Sequence, residues 1–346
     1  KFVSPSREHY DEIVFYYFRQ YHLHLQLKEM ADYAHSQKVV LKGDIPMGIY
    51  RYGCDAWVSP DLYNMQEQAG APPDNFAVKG QNWGFPTYNW DNMSKDNYNW
   101  WRRRFDQMSN YFDAFRIDHI LGFFRIWSIP VNEVEGIMGR FVPAIPVDIT
   151  EFRTRNIQFD SDRYCKPFIT WDILEDMFKE RVNEIRGKYL EPASNGNYKL
   201  KDFVNTQVKI AALFKKAKDE ETKQGLFDLV SNVILFEEEY PGSQKFHFRI
   251  SMDQTTSFQN LDNDTKHKLW DLYIDYFYHR QDDFWKKAGM KKLPSLKRNT
   301  NMLVCGEDLG MVPPCVPEVM KQLGILGLEI ERMPKVPGNE FFHPNN

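Results

Sequence analysis

Cysteine is scarce in this sequence, and long apolar runs are absent. The four cysteines, Cys54, Cys165, Cys305 and Cys315, are scattered through 346 residues and form no CxxC pair. This distribution predicts reduced thiols in a cytoplasmic protein rather than a disulfide framework. No run approaches the roughly 18 apolar residues of a membrane-spanning helix, and the first residues lack the apolar core of a signal peptide. We therefore expect no membrane partner.

An excess of basic residues is also missing. The sequence has 44 Lys and Arg against 48 Asp and Glu, a formal net charge of −4, which argues against a nucleic-acid partner. It contains no metal-ligand cluster and no phosphate-binding loop, so we expect no metal and no cofactor. Aromatic residues, by contrast, make up 15% of the chain. Several Trp and Tyr residues lie beside Gly, Pro and Asn, and such exposed flat rings are surfaces on which sugars stack.

The sequence alternates helix and strand patterns at both ends and is mostly helical in between. The predicted helices cover 22–36, 98–112, 171–186, 201–216, 222–237, 264–288 and 317–323. The predicted strands cover 39–41, 113–119, 246–250, 302–305 and 325–330. The irregular stretch 46–91 is too long for a simple connection and is typical of a functional loop. Strand, helix and strand in alternation predict an α/β fold with a parallel sheet.

Three acidic residues follow predicted parallel strands, namely Asp44, Asp118 and Glu307. Strand carboxyl ends meet on one face in such folds, where active sites are built. Each carboxylate alone is equally well explained as a helix cap. Arg116 and Asp118 are two residues apart and point to the same side of a strand, so the Arg is positioned to keep the Asp ionised. A purely structural ion pair is the alternative.

Glu307 lies in the motif GEDLG at 306–310, whose glycines allow a tight turn. The adjacent Asp308 charge predicts a raised pKa for the Glu307 carboxyl, which suits a general acid. One ionised and one protonated carboxyl across a glycosidic bond form the pair of a retaining glycosidase. His119 points away from this face by strict alternation and reaches it only if the strand breaks there.

Five ordered motifs carry a resemblance to a known family. They are GDIP at 43–46, GAPPDNF at 70–76, GQNWGFPTY at 80–88, FRIDHILGF at 115–123 and GEDLG at 306–310. Together they resemble the 4-alpha-glucanotransferases, the amylomaltase or disproportionating-enzyme family, glycoside hydrolase family 77. The separation of 189 positions from Asp118 to Glu307 resembles that of the cytosolic branch with an insertion, which uses maltose as donor and a glycogen-like glucan as acceptor.

The resemblance implies roles for individual residues. Asp118 matches the catalytic nucleophile, Glu307 the general acid/base and Arg116 the residue that supports the nucleophile. The implied substrate-binding residues are Asp44, Asp74, Asn75, Phe76, Gln81, Trp83 and His119. The implied substrates are α-1,4-glucans: maltose, maltodextrin and a glycogen-like acceptor.

The resemblance also implies a fold, part of a TIM (β/α)8 barrel, about strands 3–6, interrupted by a mostly helical insertion. We accordingly expect barrel segments at 1–130 and 298–346 around an insertion at 131–297. The family's third catalytic Asp has no counterpart before the sequence ends, so we expect an internal fragment that is inactive alone. An α-glucan hydrolase of the amylase type, a non-catalytic glucan-binding relic and a scaffold role for 131–297 remain alternatives.

Overall fold

The structure is a computed structural model that describes residues 4–193, 196–216, 218–238, 242–335, 338 and 340–342. The last residues of the predicted segment 298–346, and the short stretches between these ranges, lie outside the described residues. No helix in the described ranges is both long and apolar enough to cross a lipid bilayer.

Short strands and helices alternate along the chain. The strands are β1 Lys42–Ile45, β2 Tyr63–Asn64, β3 Glu67–Ala71, β4 Gln81–Asn82, β5 Thr87–Tyr88, β6 Ala114–Ile117, β7 Ile126–Pro130, β8 Arg140–Val142, β9 Val147–Asp148, β10 Leu190–Pro192, β11 Tyr198–Leu200, β12 Leu235–Glu237, β13 Lys245–Phe248 and β14 Leu303–Gly306. The helices are α1 Tyr10–Ser36, α2 Cys54–Val58, α3 Trp90–Ser94, α4 Asn99–Met108, α5 Ile149–Thr154, α6 Ser161–Tyr164, α7 Trp171–Phe178, α8 Val182–Tyr189, α9 Gln207–Phe214, α10 Glu220–Val230, α11 Thr256–Gln259, α12 Asn263–Ile274, α13 Asp282–Arg298 and α14 Cys315–Leu323.

The chain divides into two compact units, each assembled from separate stretches. The first unit comprises Lys1–Met47, Asp91–Phe123 and Gly289–Asn346, and the second comprises Gly48–Trp90 and Phe124–Ala288. The parallel sheet of the first unit, with its flanking helices, makes the protein α/β in class, as the sequence predicts. The division into segments 1–130, 131–297 and 298–346 stays a prediction.

The first unit is built on a parallel sheet in the order β1-β6-β14. Asp44 lies opposite Arg116, and Arg116 lies opposite Cys305 on the other side. The sheet packs on an apolar face of α4, where Phe105 stacks on Phe115 with ring centroids 4.9 Å apart. Both rings are fully buried. The spacing of apolar residues by three and four positions predicts α4 correctly, although the helix is shorter than 98–112.

Several other boundaries in the first unit differ from the sequence-based prediction. The first helix begins at Tyr10 rather than at residue 22. The first strand is Lys42–Ile45 rather than 39–41, because the main-chain bonds to β6 begin at Leu41 and leave Val40 outside the sheet, 73% exposed. The predicted strand 325–330 is reduced to two isolated bridges, one between Leu326 and Cys305 and one between Ile330 and Met333.

The second unit combines small antiparallel sheets with a helical cluster. One sheet has the order β4-β3-β7-β8 and another the order β12-β13-β9. Helices α7, α8, α9 and α10 share one apolar core. The sequence predicts a helix over 222–237, but α10 ends at Val230 and the chain continues into β12, which pairs with β13. Helix 264–288 is likewise divided, by a π-helical turn at Asp275–His279.

A buried glutamine connects α9 to the turn that follows β7. The Oε1 of Gln207 accepts hydrogen bonds from the backbone N–H groups of Val134 and Glu135, and its Nε2 donates to Glu135. The backbone N–H of Gln207 donates to Oε2 of Glu133 at 3.3 Å. Burial raises the pKa of Glu133 to about 7, and the nearby charge of Glu135 adds to this.

Candidate active site

Asp44, Arg116 and Asp118 form a linked ion-pair cluster at the carboxyl-terminal ends of the parallel strands. Nη1 of Arg116 donates to both carboxylate oxygens of Asp44, at 2.9 and 2.8 Å. Nη2 donates to Oδ1 of Asp118 at 2.8 Å. The cluster follows from the sheet register, which places Asp44 opposite Arg116, and from strand alternation, which brings Asp118 to the same side as Arg116. One guanidinium group thus orients two carboxylates.

Glu307 follows β14 and lies beside this cluster in a buried position, with 9% of its surface exposed. Its Oε2 accepts a hydrogen bond from the backbone N–H of His119 at 2.8 Å. Its Oε1 accepts one from the backbone N–H of Leu309 at 3.0 Å. The backbone N–H of Glu307 donates to the carbonyl of Ile117, and the carbonyl of Glu307 accepts a hydrogen bond from the N–H of Ile120. The carboxyl group is therefore held in one orientation by backbone donors.

His119 approaches Glu307 through its backbone because the strand breaks there. Its φ of 47° lies in the left-handed region, which residues other than glycine rarely adopt. The alternation of side-chain directions along the strand therefore stops at Asp118. The chain turns there so that the N–H of His119 faces the Glu307 carboxylate. Gly306 makes room for this turn, since a Cβ atom there would lie 2.5 Å from Cδ1 of Ile120.

The two candidate catalytic carboxyls have different environments. Burial raises the pKa of Glu307 above its ordinary value, the backbone donors and the Arg116 charge oppose the shift, and the Asp118 charge adds to it. The side chain of Asp118 is 45% exposed and ion-paired with Arg116. A buried carboxyl with a raised pKa beside a solvated, ion-paired carboxylate is an arrangement that suits one group to act as an acid and the other as a nucleophile.

The cause of the Glu307 shift differs from the one expected from the sequence. Burial is the main cause, rather than the charge of the adjacent Asp308. Oδ2 of Asp308 instead pairs with Nζ of Lys335 at 2.7 Å, and Oδ1 accepts the backbone N–H of Leu328 at 2.9 Å. Lys335 also pairs with Glu329 at 3.1 Å. Asp308 thus anchors the chain segment after α14.

In the second unit, Gln81 and Trp83 are joined by a direct hydrogen bond. Nε1 of Trp83 donates to Oε1 of Gln81 at 3.0 Å, and the indole stacks on Phe85 with ring centroids 5.7 Å apart. The backbone N–H of Trp83 donates to the carbonyl of Ala69. The hydrogen bond and the stacking hold the indole in a defined orientation, while Gln81 remains exposed.

Asp74, Asn75 and Phe76 form the tip of the preceding loop. Oδ1 of Asp74 accepts the backbone N–H groups of Phe76 at 2.8 Å and Ala77 at 2.6 Å, which is the self-capped turn that Asp favours. Asn75 is exposed, and the ring of Phe76 is 87% exposed. The loop tip therefore presents a large aromatic ring to solvent.

The end of this loop is attached to the turn after β7 and to α10. Nζ of Lys79 pairs with Oδ1 of Asp228 at 2.5 Å, and the carbonyl of Lys79 accepts the N–H of Ile137 at 2.8 Å. Gly80 and Gly136 touch through their backbones, since a Cβ on Gly80 would lie 3.0 Å from Cα of Gly136. Neither position has room for a side chain.

The structure thus brings together Asp44, Arg116, Asp118, His119 and Glu307 in the first unit. Asp74, Asn75, Phe76, Gln81 and Trp83 belong to the second unit. Sequence reasoning missed the backbone donors that hold Glu307, because the local chain direction at His119 has no signature in the residue types. It also missed Lys335, whose partner Asp308 lies 27 residues away.

The family model and the similar proteins of known name all indicate the same family. A family model for glycoside hydrolase family 77, described as 4-alpha-glucanotransferase, matches residues 1–346. The 4-alpha-glucanotransferase DPE2 of Oryza sativa subsp. japonica is 44% identical across all of this chain and 37% of its own length. A 4-alpha-glucanotransferase of Chlamydia pneumoniae is 38% identical over 42% of the chain and 27% of its own length. The chain therefore spans about a third of the length of these relatives.

Two solved structures also overlap with the chain, at lower similarity. The amylomaltase from Corynebacterium glutamicum has a TM-score of 0.47 and 16% identity, covering 98% of this chain and 29% of its own. The amylomaltase from Streptococcus agalactiae in complex with acarbose has a TM-score of 0.38 and 18% identity, covering 78% and 64%. At these values neither overlap bears on fold or function, and the family follows from the sequence match over the full chain. The chain belongs to the 4-alpha-glucanotransferase family, glycoside hydrolase family 77.

Proposed function

We propose that the protein containing this chain is a retaining 4-alpha-glucanotransferase that moves glucosyl or maltooligosyl units between α-1,4-glucans. The observation that carries the proposal is the contrast between two neighbouring carboxyls: Asp118 is solvated and ion-paired, whereas burial raises the pKa of Glu307. A retaining transfer requires one carboxylate as nucleophile and one carboxylic acid as proton donor. Maltose or maltodextrin is the proposed donor, and a glycogen-like glucan the proposed acceptor.

In the first step, a carboxylate oxygen of Asp118 attacks the anomeric carbon of the donor. The bond between that carbon and the glycosidic oxygen breaks, and Glu307 gives its proton to the departing oxygen. A covalent glycosyl ester on Asp118 results. Arg116 orients the attacking carboxylate of Asp118 through a 2.8 Å hydrogen bond. Asp44 in turn holds Arg116 in place.

In the second step, a hydroxyl of the acceptor glucan attacks the same carbon and displaces Asp118. Glu307, now ionised, takes the hydroxyl proton and returns to its starting state. The His119 and Leu309 N–H groups are suited to stabilise Glu307 while it is ionised, since they donate to its two oxygens. No part of this cycle calls for a metal or cofactor.

In the first unit, the proposed substrate contacts are Asp44 and His119. In the second unit, considered by itself, they are on the loop. Trp83, fixed by Gln81 and Phe85, offers a flat face for a pyranose ring, and Phe76 offers a second one. We propose that the parallel strands β1, β6 and β14 belong to a (β/α)8 barrel. A cytoplasmic location remains a prediction from the scattered free cysteines.

The test is to incubate the full-length polypeptide with maltose and glycogen and to separate the sugars by chromatography. Transfer predicts free glucose equal to half of the glucosyl units, with the other half on the glucan. Complete conversion of maltose to glucose identifies a hydrolase instead. Retained glucan binding with no turnover identifies a non-catalytic relic. Asp118→Asn serves as the control and abolishes glucose release if the assignment of the nucleophile is correct.

A further inference from the structure

Two tyrosine rings in the second unit are strongly exposed where the chain follows Met47. Tyr50 is 72% and Tyr52 is 81% exposed, and their ring centroids are 5.8 Å apart in an edge-to-face arrangement. Single exposed apolar residues are ordinary on protein surfaces, but two adjacent, mutually oriented aromatic rings expose a continuous apolar patch. Neither residue has a role in the mechanism proposed above.

The turn that presents these rings is held rigidly by the residue between them. The guanidinium group of Arg51 donates to the carbonyl oxygens of Met65 and Glu67 at 2.6 Å each and of Gly84 at 3.1 Å. The backbone N–H of Gly53 donates to the carbonyl of Tyr50 at 2.8 Å and closes the turn. Because three hydrogen bonds direct Arg51 inward, its neighbours Tyr50 and Tyr52 lie on the outer side of the turn. The backbone that carries the rings is thus preorganised, which lowers the entropic cost of binding a ligand.

The same turn is joined to the aromatic motif around Trp83. Arg51 bonds to the carbonyl of Gly84, which follows Trp83 directly. Gly48 lies against the ring of Phe85, where a Cβ would be only 2.3 Å from the ring carbons, and Phe85 stacks on Trp83. The tyrosine turn and the proposed sugar-contacting tryptophan therefore share one supporting framework.

We propose that Tyr50 and Tyr52 form an additional binding site for glucose units of an α-1,4-glucan chain that also contacts Trp83. The inference rests on the proposed function, because it assigns a further stretch of the same substrate. A pyranose ring packs its apolar C–H face on an aromatic ring while its hydroxyls stay in water, and Tyr adds a hydroxyl at the polar edge. Such a site engages long glucans and leaves maltose unaffected.

The experiment uses the full-length polypeptide carrying Asp118→Asn, so that bound glucan is not consumed. Titration with maltoheptaose and with maltose is compared for this parent, for the added pair Tyr50→Ala and Tyr52→Ala, and for the added pair Tyr50→Phe and Tyr52→Phe. We expect the alanine pair to weaken maltoheptaose binding about tenfold with maltose binding unchanged. We expect the phenylalanine pair to bind within about twofold of the parent, because the rings remain.

The control variant is Tyr278→Ala in the same parent, since Tyr278 is 57% exposed in the same unit but lies on the π-helical turn. Equal maltoheptaose affinity in the parent and the alanine pair overturns the inference and leaves the proposed function intact. An equal loss in Tyr278→Ala, or an equal loss for maltose, also overturns it, because the effect is then not local to the turn. Absence of any glucan binding in the parent overturns the proposed function together with the inference.

Discussion

Arg116 is the residue whose replacement tests the proposed site most directly. Its guanidinium group makes three hydrogen bonds to two carboxylates, two to Asp44 and one to Asp118. Arg116→Lys keeps the positive charge but replaces the planar fork with a single ammonium group, which does not reproduce both contacts at once. Arg116→Met removes the charge as well while keeping a side chain of similar length.

The hydrogen bond from Arg116 to Asp118 determines how much kcat/KM the Arg116 variants should lose. A hydrogen bond between charged groups is worth about 1.5–3 kcal/mol, and the exposure of Asp118 places this one towards the lower end. Since about 1.4 kcal/mol corresponds to a factor of ten in rate, we expect Arg116→Lys to lower kcat/KM about 10- to 100-fold in the maltose and glycogen assay. The circular dichroism spectrum should be unchanged, because the cluster lies at a solvated sheet edge.

The pH profile separates the charge of Arg116 from its geometry. The Arg116 charge lowers the pKa of Glu307, so its removal in Arg116→Met raises that pKa further. Because Glu307 acts in its protonated form, the basic limb of the profile should move to higher pH in Arg116→Met and stay in place in Arg116→Lys. Activity of both variants within about threefold of the unmodified protein, or a basic limb that moves to lower pH in Arg116→Met, would refute this reasoning.

Three further predictions concern replacements of single residues. Glu307→Gln should lower glycosyl transfer by about 10²- to 10⁴-fold because the proton donor is lost, and unaltered transfer in the chromatographic assay would contradict the assignment. Gly306→Ala should lower transfer without unfolding the protein, because the new Cβ pushes Ile120 and with it the His119 N–H away from Glu307; a rate equal to that of an exposed control, Gly187→Ala, would contradict this. Glu133→Gln should remove a pH dependence of the free energy of unfolding. The pKa of Glu133 in the folded protein, about 7, lies above the ordinary value of 4.5. The contribution of Glu133 to the free energy of unfolding is therefore full below pH 4.5 and is lost as the pH rises to 7. Urea unfolding should show the variant gaining up to about 3 kcal/mol over the unmodified protein across this range, and parallel curves would contradict the prediction.

The contacts within the first unit show how far the sequence determines such a site. Parallel strands end at one edge and strand side chains alternate, so the proximity of Asp44, Arg116 and Asp118 was predictable from spacing alone. The exact strand bounds were not, because pairing with β6 rather than β-branched residue content decides where β1 begins. The β-branched pair Val39 and Val40 is left exposed for that reason.

The environment of Glu307 was only partly predictable. The direction of its pKa shift was expected, but the sequence indicated Asp308 as the cause, whereas burial is the main one. Burial depends on how β6 and β14 pack together, which involves residues nearly two hundred positions apart. The backbone turn at His119 is a further property of the folded chain that side-chain types do not encode.

The attachment of the loop that carries Asp74, Asn75 and Phe76 to the turn after β7 makes one backbone amide a sensitive measure of the loop's position. The amide of Ile137 has its hydrogen bond to the carbonyl of Lys79, at the position where Gly80 and Gly136 meet without side chains between them. Any excursion of the loop from this turn breaks that bond and opens the amide to solvent. Hydrogen–deuterium exchange at Ile137 therefore measures how often the loop detaches, and a bound glucan that holds the loop down should slow exchange at this one amide.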